Sequence, residues 1–368
     1  MCRLFCALAL LIGLALHMQP ASAYAQPAPS EQAVQAALTW LQSQQQPDGS
    51  FPGFSAGESA DAIFALVAAG VDPNGVLKDG NSPVSFLGDQ AASYAATSVG
   101  AAAKLTLAVV TAGKDPRTFG GVDLPALIET SYDPANGQYG ADVFGHSLAL
   151  LAISGLGTMP PSAAVNRLVE LQLEDGGWSF DGTIETGSDT NTTSLAIQAL
   201  AQAVSEGSPA AQRAVDYLKT QQNEDGGFPY AQAASFGSDT DANSTAYVLQ
   251  ALAALGQDPR GETWTKSGGN PQSALLSLQN DTGAFRYQAA VPEDNALATY
   301  QAIPGLLSRP LPLMVITLPD DAETTAPVEL PAALPATSAV PHFEPFMLVM
   351  ALLLLAFGVA LRRMKLRA

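Results

Sequence analysis

Hydrophobic and polar positions along the chain divide it into two kinds of segment. One kind is almost uniformly apolar, rich in alanine and leucine, and ends near Gly or Pro; it recurs at residues 59–70, 91–113, 144–155, 189–204, 241–256 and 294–303. The segments before them carry polar side chains at helical spacing, such as Arg167 with Glu170 and Asp216 with Lys219. Apolar helices are covered on all sides, whereas amphipathic helices face solvent on one side. The pattern predicts apolar inner helices surrounded by amphipathic outer helices.

A short motif separates each outer segment from the inner segment that follows it. Its form is Gln-x-x-x-Gly-x-aromatic, and it occurs four times, as Gln45/Gly49/Phe51, Gln172/Gly176/Trp178, Gln222/Gly226/Phe228 and Gln279/Gly283/Phe285. A fifth copy keeps Gly137 and Tyr139 but has Asp133 instead of glutamine, and a sixth, near residues 82–94, has lost the motif. Glycine can end the helix, and the glutamine can bond the adjacent backbone. Six such pairs bury one another's faces if they stack into a closed ring.

These repeats resemble the α/α toroid superfamily, and the motif is similar to the Gln/Trp motif of squalene and oxidosqualene cyclases. The superfamily also includes protein prenyltransferase β subunits and the cobalamin carriers transcobalamin and intrinsic factor. The resemblance covers residues 31–307 and implies an all-α (α/α)6 toroid of six helix pairs, which we place at residues 24–308. Enzymes and carriers share this scaffold, so the resemblance does not select a function.

The two ends of the chain predict export and membrane attachment. Arg3, a short apolar core and a small-residue cleavage site indicate a signal peptide over residues 1–23. Eight prolines between residues 309 and 345 indicate a stalk. The apolar run Phe346–Leu361, followed by the basic tail 362–368, predicts one transmembrane helix with a cytoplasmic C-terminus. We therefore expect a single-pass protein of the cell membrane with its ectodomain outside; Leu334–Ser338, which resembles a sortase signal, leaves wall sorting as an alternative.

The charge and the residue types of the toroid argue against some partners and activities. Residues 24–345 hold all 34 acidic residues and 11 of the 16 basic ones, a net charge of −23, so nucleic acid is not an expected partner. The prenyltransferases' zinc site needs cysteine and histidine, and the toroid has no cysteine and one histidine, His146. The class II cyclases' acid motif, Asp-x-Asp-Asp, is matched incompletely by Asp239-Thr240-Asp241-Ala242, which leaves Asp241 as the acid in an alternative, cyclase interpretation. Calcium held by the acidic turns after the outer helices is a further alternative.

A second alignment suggests a binding site at the starts of the inner helices. Asp189-x-Asn191-Thr-Thr with Gln198 repeats 52 residues later as Asp241-x-Asn243-Ser-Thr with Gln250, and the last copy keeps Asp294 and Gln301. These residues can cap helices. In a closed ring they would also meet at one opening, where we place a ligand site formed by Asp189, Asn191, Asp239, Asp241, Asn243, Asp294, Trp178, Tyr230, Tyr247 and His146.

The resemblance to cobalamin carriers makes a corrinoid the first ligand to consider, with His146 as a potential cobalt ligand. We therefore expect a membrane-anchored module that binds a ligand or a surface protein. The two alternatives are a divergent class II terpenoid cyclase and a purely structural surface module.

Overall fold

The computed structural model describes residues 28–203, 208–235 and 237–317. These residues form twelve α-helices: α1 Pro29–Ser43, α2 Ala56–Ala68, α3 Pro83–Ala95, α4 Val99–Thr111, α5 Leu124–Thr130, α6 Val143–Gly155, α7 Ser162–Glu170, α8 Thr190–Ala203, α9 Pro209–Gln221, α10 Ala242–Ala254, α11 Pro271–Ser277 and α12 Ala296–Leu306. A 3-10 turn, Glu262–Trp264, precedes α11. The short strands β1 Tyr132–Asp133 and β2 Gln138–Tyr139 pair antiparallel between α5 and α6.

The even-numbered helices form a closed inner ring. Each packs against the next in the order α2, α4, α6, α8, α10, α12, and α12 packs back against α2. The odd-numbered helices lie outside them, and α1 contacts both α11 and α12 across the join between the last and first repeats. The described residues therefore confirm a toroid of six helix pairs.

Two of the predicted inner-helix boundaries are wrong. The segment 91–113 is not one helix, because α3 ends at Ala95 and the Ser98 side chain starts α4 by accepting the amide of Ala101 at 3.1 Å. The last inner helix does not begin at Asp294 but is capped by Asn295, whose side chain accepts the amide of Ala298 at 2.9 Å. In both cases the residue with an extended backbone and a suitable side-chain oxygen determines the start.

The motif glutamines join neighbouring repeats. Each donates from Nε2 to the carbonyl of its own motif glycine and to a backbone carbonyl in the next repeat. Gln172 contacts the carbonyl oxygens of Gly176 and Ala210 at 2.7 and 2.8 Å. Gln279 contacts those of Gly283 and Ala33, both at 2.8 Å, and Ala33 belongs to the first repeat. The same side-chain contact therefore links consecutive repeats and closes the ring.

The chain beyond α12 also packs on the toroid. We call Arg309–Thr317 the strap. Gln250 Nε2 donates to the Arg309 carbonyl at 2.8 Å, the Leu311 amide donates to Gln198 Oε1 at 2.9 Å, and the Ile316 amide donates to the Gly155 carbonyl at 2.9 Å. Residues at the start of the predicted stalk thus lie against α6, α8 and α10, towards their C-terminal ends.

Membrane attachment concerns other parts of the chain. Within the described ranges, none of the helices is both long and apolar enough to cross a bilayer. The predicted signal peptide, the Leu334–Ser338 motif, the apolar run 346–361 and the basic tail all lie outside the described residues.

Candidate functional site

The inner helices α6, α8 and α10 begin beside the loop of the following repeat. The first amides of these helices, at Val143, Thr190 and Ala242, donate to the carbonyls of Phe180, Tyr230 and Tyr287 at 2.8 to 2.9 Å. Each of those acceptors lies two residues after a motif aromatic. We call this end of the ring, where the inner helices start, the mouth.

Asp189 and Asp241 cap helices at the mouth. Asp189 Oδ1 accepts the amide of Thr192 at 2.7 Å, and Asp241 Oδ1 accepts that of Ser244 at 2.7 Å. Both side chains are buried. Burial raises the pKa of Asp189 to about 6 and that of Asp241 to about 7, although hydrogen bonds from Thr192 and Ser244 favour the charged forms. A substantial fraction of Asp241 is therefore protonated at neutral pH.

Several other predicted site residues serve the loops or the packing between layers. Trp178 is fully buried and donates its indole N–H to the Leu168 carbonyl at 2.7 Å. Asp239 is exposed, and its backbone carbonyl accepts from Gln288. Asp294 is exposed and accepts from Trp40 Nε1 at 3.2 Å, across the join between the last and first repeats. The half-buried Tyr230 hydroxyl hydrogen-bonds Asp189.

His146 replaces a hydroxyl that four of the other repeats use. In four repeats the amide of the motif aromatic donates to a serine or threonine on the inner helix: Phe51 to Ser59, Trp178 to Thr193, Phe228 to Thr245 and Phe285 to Thr299. In the third repeat Tyr139 donates to His146 Nδ1 at 3.0 Å, and His146 Nε2 lies 3.0 Å from the Ala164 carbonyl. These partners require neutral imidazole with its proton on Nε2, and burial lowers the pKa of His146 to about 4. With both nitrogens engaged, the ring has no nitrogen available for a cobalt ion.

The remaining three predicted residues lie on inner helices. Asn243 Nδ2 donates to Gln301 Oε1 at 2.7 Å, which joins α10 to α12. Asn191, at the matching position of α8, is half-buried, and its Oδ1 has no hydrogen-bond partner among the described residues. Tyr247 is half-buried and lines a cavity inside the ring together with Gln301.

This cavity, the lumen cavity, is enclosed by five of the six inner helices and by the strap. Its volume is about 60 Å³, and it is lined by Asp61, Phe64, Lys104, Phe144, Leu148, Tyr247, Gln250, Tyr300, Gln301, Pro304 and Leu311. Aromatic and aliphatic side chains make up most of the wall. The lumen therefore combines an apolar wall with a few polar groups, as small-molecule sites do.

An ion pair between neighbouring inner helices is the main charged feature of the lumen cavity. Lys104 Nζ on α4 lies 2.7 Å from Asp61 Oδ2 on α2, and their side chains are 21% and 8% exposed. Burial is the largest single influence and would lower the pKa of Lys104, but the charge of Asp61, its hydrogen bond to Lys104 and the nearby Tyr94 and Tyr247 together raise it. Lys104 is therefore charged across the physiological range. Burial raises the pKa of Asp61, while the charge and hydrogen bond of Lys104 act in the opposite direction; the 2.7 Å contact identifies Asp61 as the counterion.

A row of aromatic rings connects the mouth with this ion pair. Phe180, in a loop at the mouth, stacks on Phe144 with ring centroids 6.1 Å apart, and Phe144 meets Tyr247 edge-on at 6.4 Å. Phe180 is 36% exposed, whereas Phe144 and Tyr247 line the lumen cavity. Burial raises the pKa of Tyr247 to about 12, so its hydroxyl stays neutral. These three rings form a continuous series of aromatic contacts from the mouth to the wall of the lumen cavity.

Asp61 and Lys104 were not among the site residues predicted from the sequence. They are 43 residues apart, and nothing in the local spacing places them together. The available signal was a charged residue in the middle of each of two mainly apolar, alanine-rich helices, Asp61 in α2 and Lys104 in α4. A charge in such a helix is costly unless a partner lies nearby.

The described residues do not fit the zinc chemistry of prenyltransferases. No group of three or more His, Cys, Asp or Glu side chains in the described part of the chain is arranged to hold a metal ion. The acidic turn at Asp175 is engaged instead, since its Oδ1 accepts the Gly177 amide at 3.0 Å and the Ser188 hydroxyl at 2.8 Å.

Comparison with known families gives a match over more than half of the chain. The model of the prenyltransferase alpha-alpha toroid domain matches residues 4–73 and 144–260. The chain belongs to this family. Comparison with curated protein sequences gives no match.

Solved structures with the same fold include two that align over nearly their full length. A protein from Actinoplanes is 14% identical, with a TM-score of 0.54, over 76% of this chain and 99% of its own. The type II terpene cyclase MstE from Scytonema is 13% identical, with a TM-score of 0.55, over 76% of this chain and 98% of its own. At these identities the similarity shows the fold of the toroid.

These comparisons support some of the functions predicted from the sequence better than others. One of the two structures is a terpene cyclase, the class of enzyme that was the alternative, and the comparisons do not support a membrane-anchored binding module. They also do not show the expected similarity to the cobalamin carriers. A corrinoid exceeds drug-sized ligands, which occupy pockets of roughly 300–1,000 Å³, and the lumen cavity measures about 60 Å³.

Proposed function

We propose that the toroid binds a small, uncharged, oxygen-bearing hydrocarbon in the lumen cavity. The observation that carries this proposal is the ion pair between Asp61 and Lys104 at the wall of an otherwise mainly apolar cavity. A buried ion pair adds little to stability because the desolvation cost offsets the attraction. Recognition of a ligand is a better reason for placing it there.

The polar groups around the cavity indicate the chemistry of this ligand. Lys104 has three N–H donors, and within the described structure its hydrogen bond goes to Asp61. Tyr247 adds a neutral hydroxyl. A hydroxyl or carbonyl oxygen could accept a hydrogen bond from Lys104 while a compact hydrocarbon contacts Phe64 and Phe144. A charged ligand is disfavoured, because it would add an uncompensated charge to a site whose own charges cancel.

The cellular setting remains part of the proposal. The signal peptide and the apolar C-terminal run, predicted from sequence, would place the toroid outside the membrane with its strap leading to the anchor. In that setting the mouth is open to compounds from the surroundings of the cell. A surface protein that delivers or receives the ligand is compatible with the same arrangement.

Calorimetric titration tests the binding proposal. Cyclohexanol and phenol should bind the wild-type protein, and benzoate and cyclohexylammonium should bind at least tenfold more weakly. Replacing the pair together, Asp61→Leu with Lys104→Met, removes both charges without leaving either alone and should abolish binding of cyclohexanol. Lys219→Met serves as a control, because Lys219 pairs with Asp216 on the outside of α9. Unchanged binding in the double variant would overturn the proposal.

A terpenoid cyclase is the second candidate. It is favoured by the fold shared with MstE and by the carboxyl of Asp241, whose pKa of about 7 makes a protonated acid available at neutral pH. Against it, both carboxylate oxygens of Asp241 contact Ser244, and Asp241 does not line the lumen cavity. A variant of MstE binds geranylgeranyl dihydroxybenzoate as substrate. Turnover of a geranylgeranyl-bearing compound by this protein, lost in Asp241→Asn, would favour the cyclase.

A further inference from the structure

A second cavity lies beside the strap. It measures about 430 Å³ and is lined by Val67, Ala68, Ala69 and Gly70 at the end of α2 and by Arg309 and Leu313 of the strap. We call it the cleft. It is much larger than the lumen cavity and reaches the range of roughly 300–1,000 Å³ that drug-sized ligands occupy.

The lumen cavity and the cleft follow one another along the same structural elements. Phe64 lines the lumen cavity, and Val67 and Ala68, one helical turn later on α2, line the cleft. On the strap, Leu311 lines the lumen cavity, whereas its neighbours Arg309 and Leu313 line the cleft. Leu311 is 7% exposed, and the strap residues that flank it on either side line the cleft.

Two buried glutamines hold this part of the strap. Gln198 Oε1 accepts the Leu311 amide at 2.9 Å, and Gln250 Nε2 donates to the Arg309 carbonyl at 2.8 Å. They occupy matching positions of α8 and α10, 52 residues apart. Gln198 is fully buried and Gln250 is 7% exposed, so the strap backbone satisfies polar groups that would otherwise be costly inside the ring. The strap is therefore a fixed part of the fold at this point.

We propose that Leu311 limits the size of the ligand by separating the lumen cavity from the cleft. This inference rests on the proposed function, because it takes the lumen cavity as the binding site. With leucine at position 311, the site admits compact ligands from the mouth. With a shorter side chain, the two spaces join into one of more than 430 Å³, which accepts a longer molecule of the same chemistry.

The test compares a compact and a long probe on the full chain in lipid nanodiscs, with empty nanodiscs as the blank. Cyclohexanol is the compact probe, and 4-cyclohexylphenol is the long one. Leu311→Ala should bind 4-cyclohexylphenol at least tenfold more tightly than the wild type does. Leu200→Ala is the matched control, because Leu200 is fully buried on α8 but lines neither cavity. It should show no such gain.

A second substitution keeps the inference testable if Leu311→Ala unfolds. Leu311→Phe fills the lumen cavity from the same position, and it should weaken cyclohexanol binding at least tenfold while the melting temperature changes little. If the wild type binds cyclohexanol but Leu311→Ala gains no affinity for the long probe, the size limit is wrong and the binding function stands. An equal gain in Leu200→Ala would show general loosening and would also overturn it. If cyclohexanol binding is absent or independent of Asp61 and Lys104, the proposed function itself fails.

Discussion

Replacing Gly283 with alanine tests how the ring closes. Gly283 has a φ of +93°, and a Cβ atom there would lie 2.5 Å from the carbonyl oxygen of Ala36 in the first repeat. Gly70 has a φ of +79°, but a Cβ atom there would meet nothing within 4 Å. The two glycines therefore share the left-handed conformation and differ in their surroundings.

The expected loss of stability follows from the backbone conformation and from the close neighbours of each glycine. An alanine in the left-handed conformation costs about 1–2 kcal/mol, and this applies to both Gly70→Ala and Gly283→Ala. Overpacking against well-ordered structure adds about 1–3 kcal/mol, and this applies to Gly283 alone, because the obstacle is backbone rather than a movable side chain. We therefore expect Gly283→Ala to lower the free energy of unfolding by about 2 kcal/mol more than Gly70→Ala does.

Urea unfolding followed by circular dichroism measures the free energies, and tryptophan fluorescence reports on the join between the last and first repeats. Trp40 donates to Asp294 across that join, so its emission should change in Gly283→Ala before the helices unfold. Equal destabilisation by the two substitutions would refute the close approach of the sixth repeat to the first.

Three further predictions concern buried titratable groups and topology. His146→Thr should lessen the loss of stability as pH falls from about 6.5 to 4, because the folded state holds this histidine neutral with a pKa of about 4. Urea titrations at several pH values measure the difference in the free energy of unfolding, which should be at most about 3 kcal/mol. Asp241→Asn should lessen the opposite trend, a loss of stability as pH rises from about 4 to 7, because the raised pKa of Asp241 favours the protonated form in the folded state. Asparagine is a suitable replacement, since Asn295 caps an inner helix. An unchanged dependence of stability on pH would contradict the argument that burial raises this pKa. Protease added to intact cells should release the toroid by cutting beyond the strap, whereas a protected toroid would reverse the proposed orientation.

The repeats made the fold predictable, because the motif encodes local geometry. Glutamine, glycine and an aromatic residue at fixed spacing specify a helix end and a side-chain bond, and the structure adds that this bond reaches the next repeat, as from Gln172 to Ala210. Two helix starts were predicted wrongly because the residues that cap these helices, Ser98 and Asn295, lie one to several positions after the starts that the repeat alignment predicted. Such shifts depend on which backbone carbonyls are nearby, and sequence spacing does not contain that information.

The candidate site was less predictable, because it depends on which inner-helix faces meet at the centre of the ring. Asp189 and Asp241 were singled out by repetition, yet repetition here reflects helix capping. Lys104 and Asp61 are not part of a repeated pattern, and they form an ion pair only because α2 and α4 pack side by side. Among the ten predicted residues, Tyr247 is the one that lines the lumen cavity, and Asn243 contacts its wall through Gln301.

The location of a bound ligand tests the central claim most directly. Crystals of the protein soaked with cyclohexanol should show the compound in the lumen cavity, with its hydroxyl within hydrogen-bonding distance of Lys104 Nζ or the Tyr247 hydroxyl and its ring against Phe144. The same soak of the Asp61→Leu, Lys104→Met variant should leave the lumen without it. Cyclohexanol ordered elsewhere on the toroid, or a lumen that stays free of it while calorimetry reports saturable binding, would contradict the account.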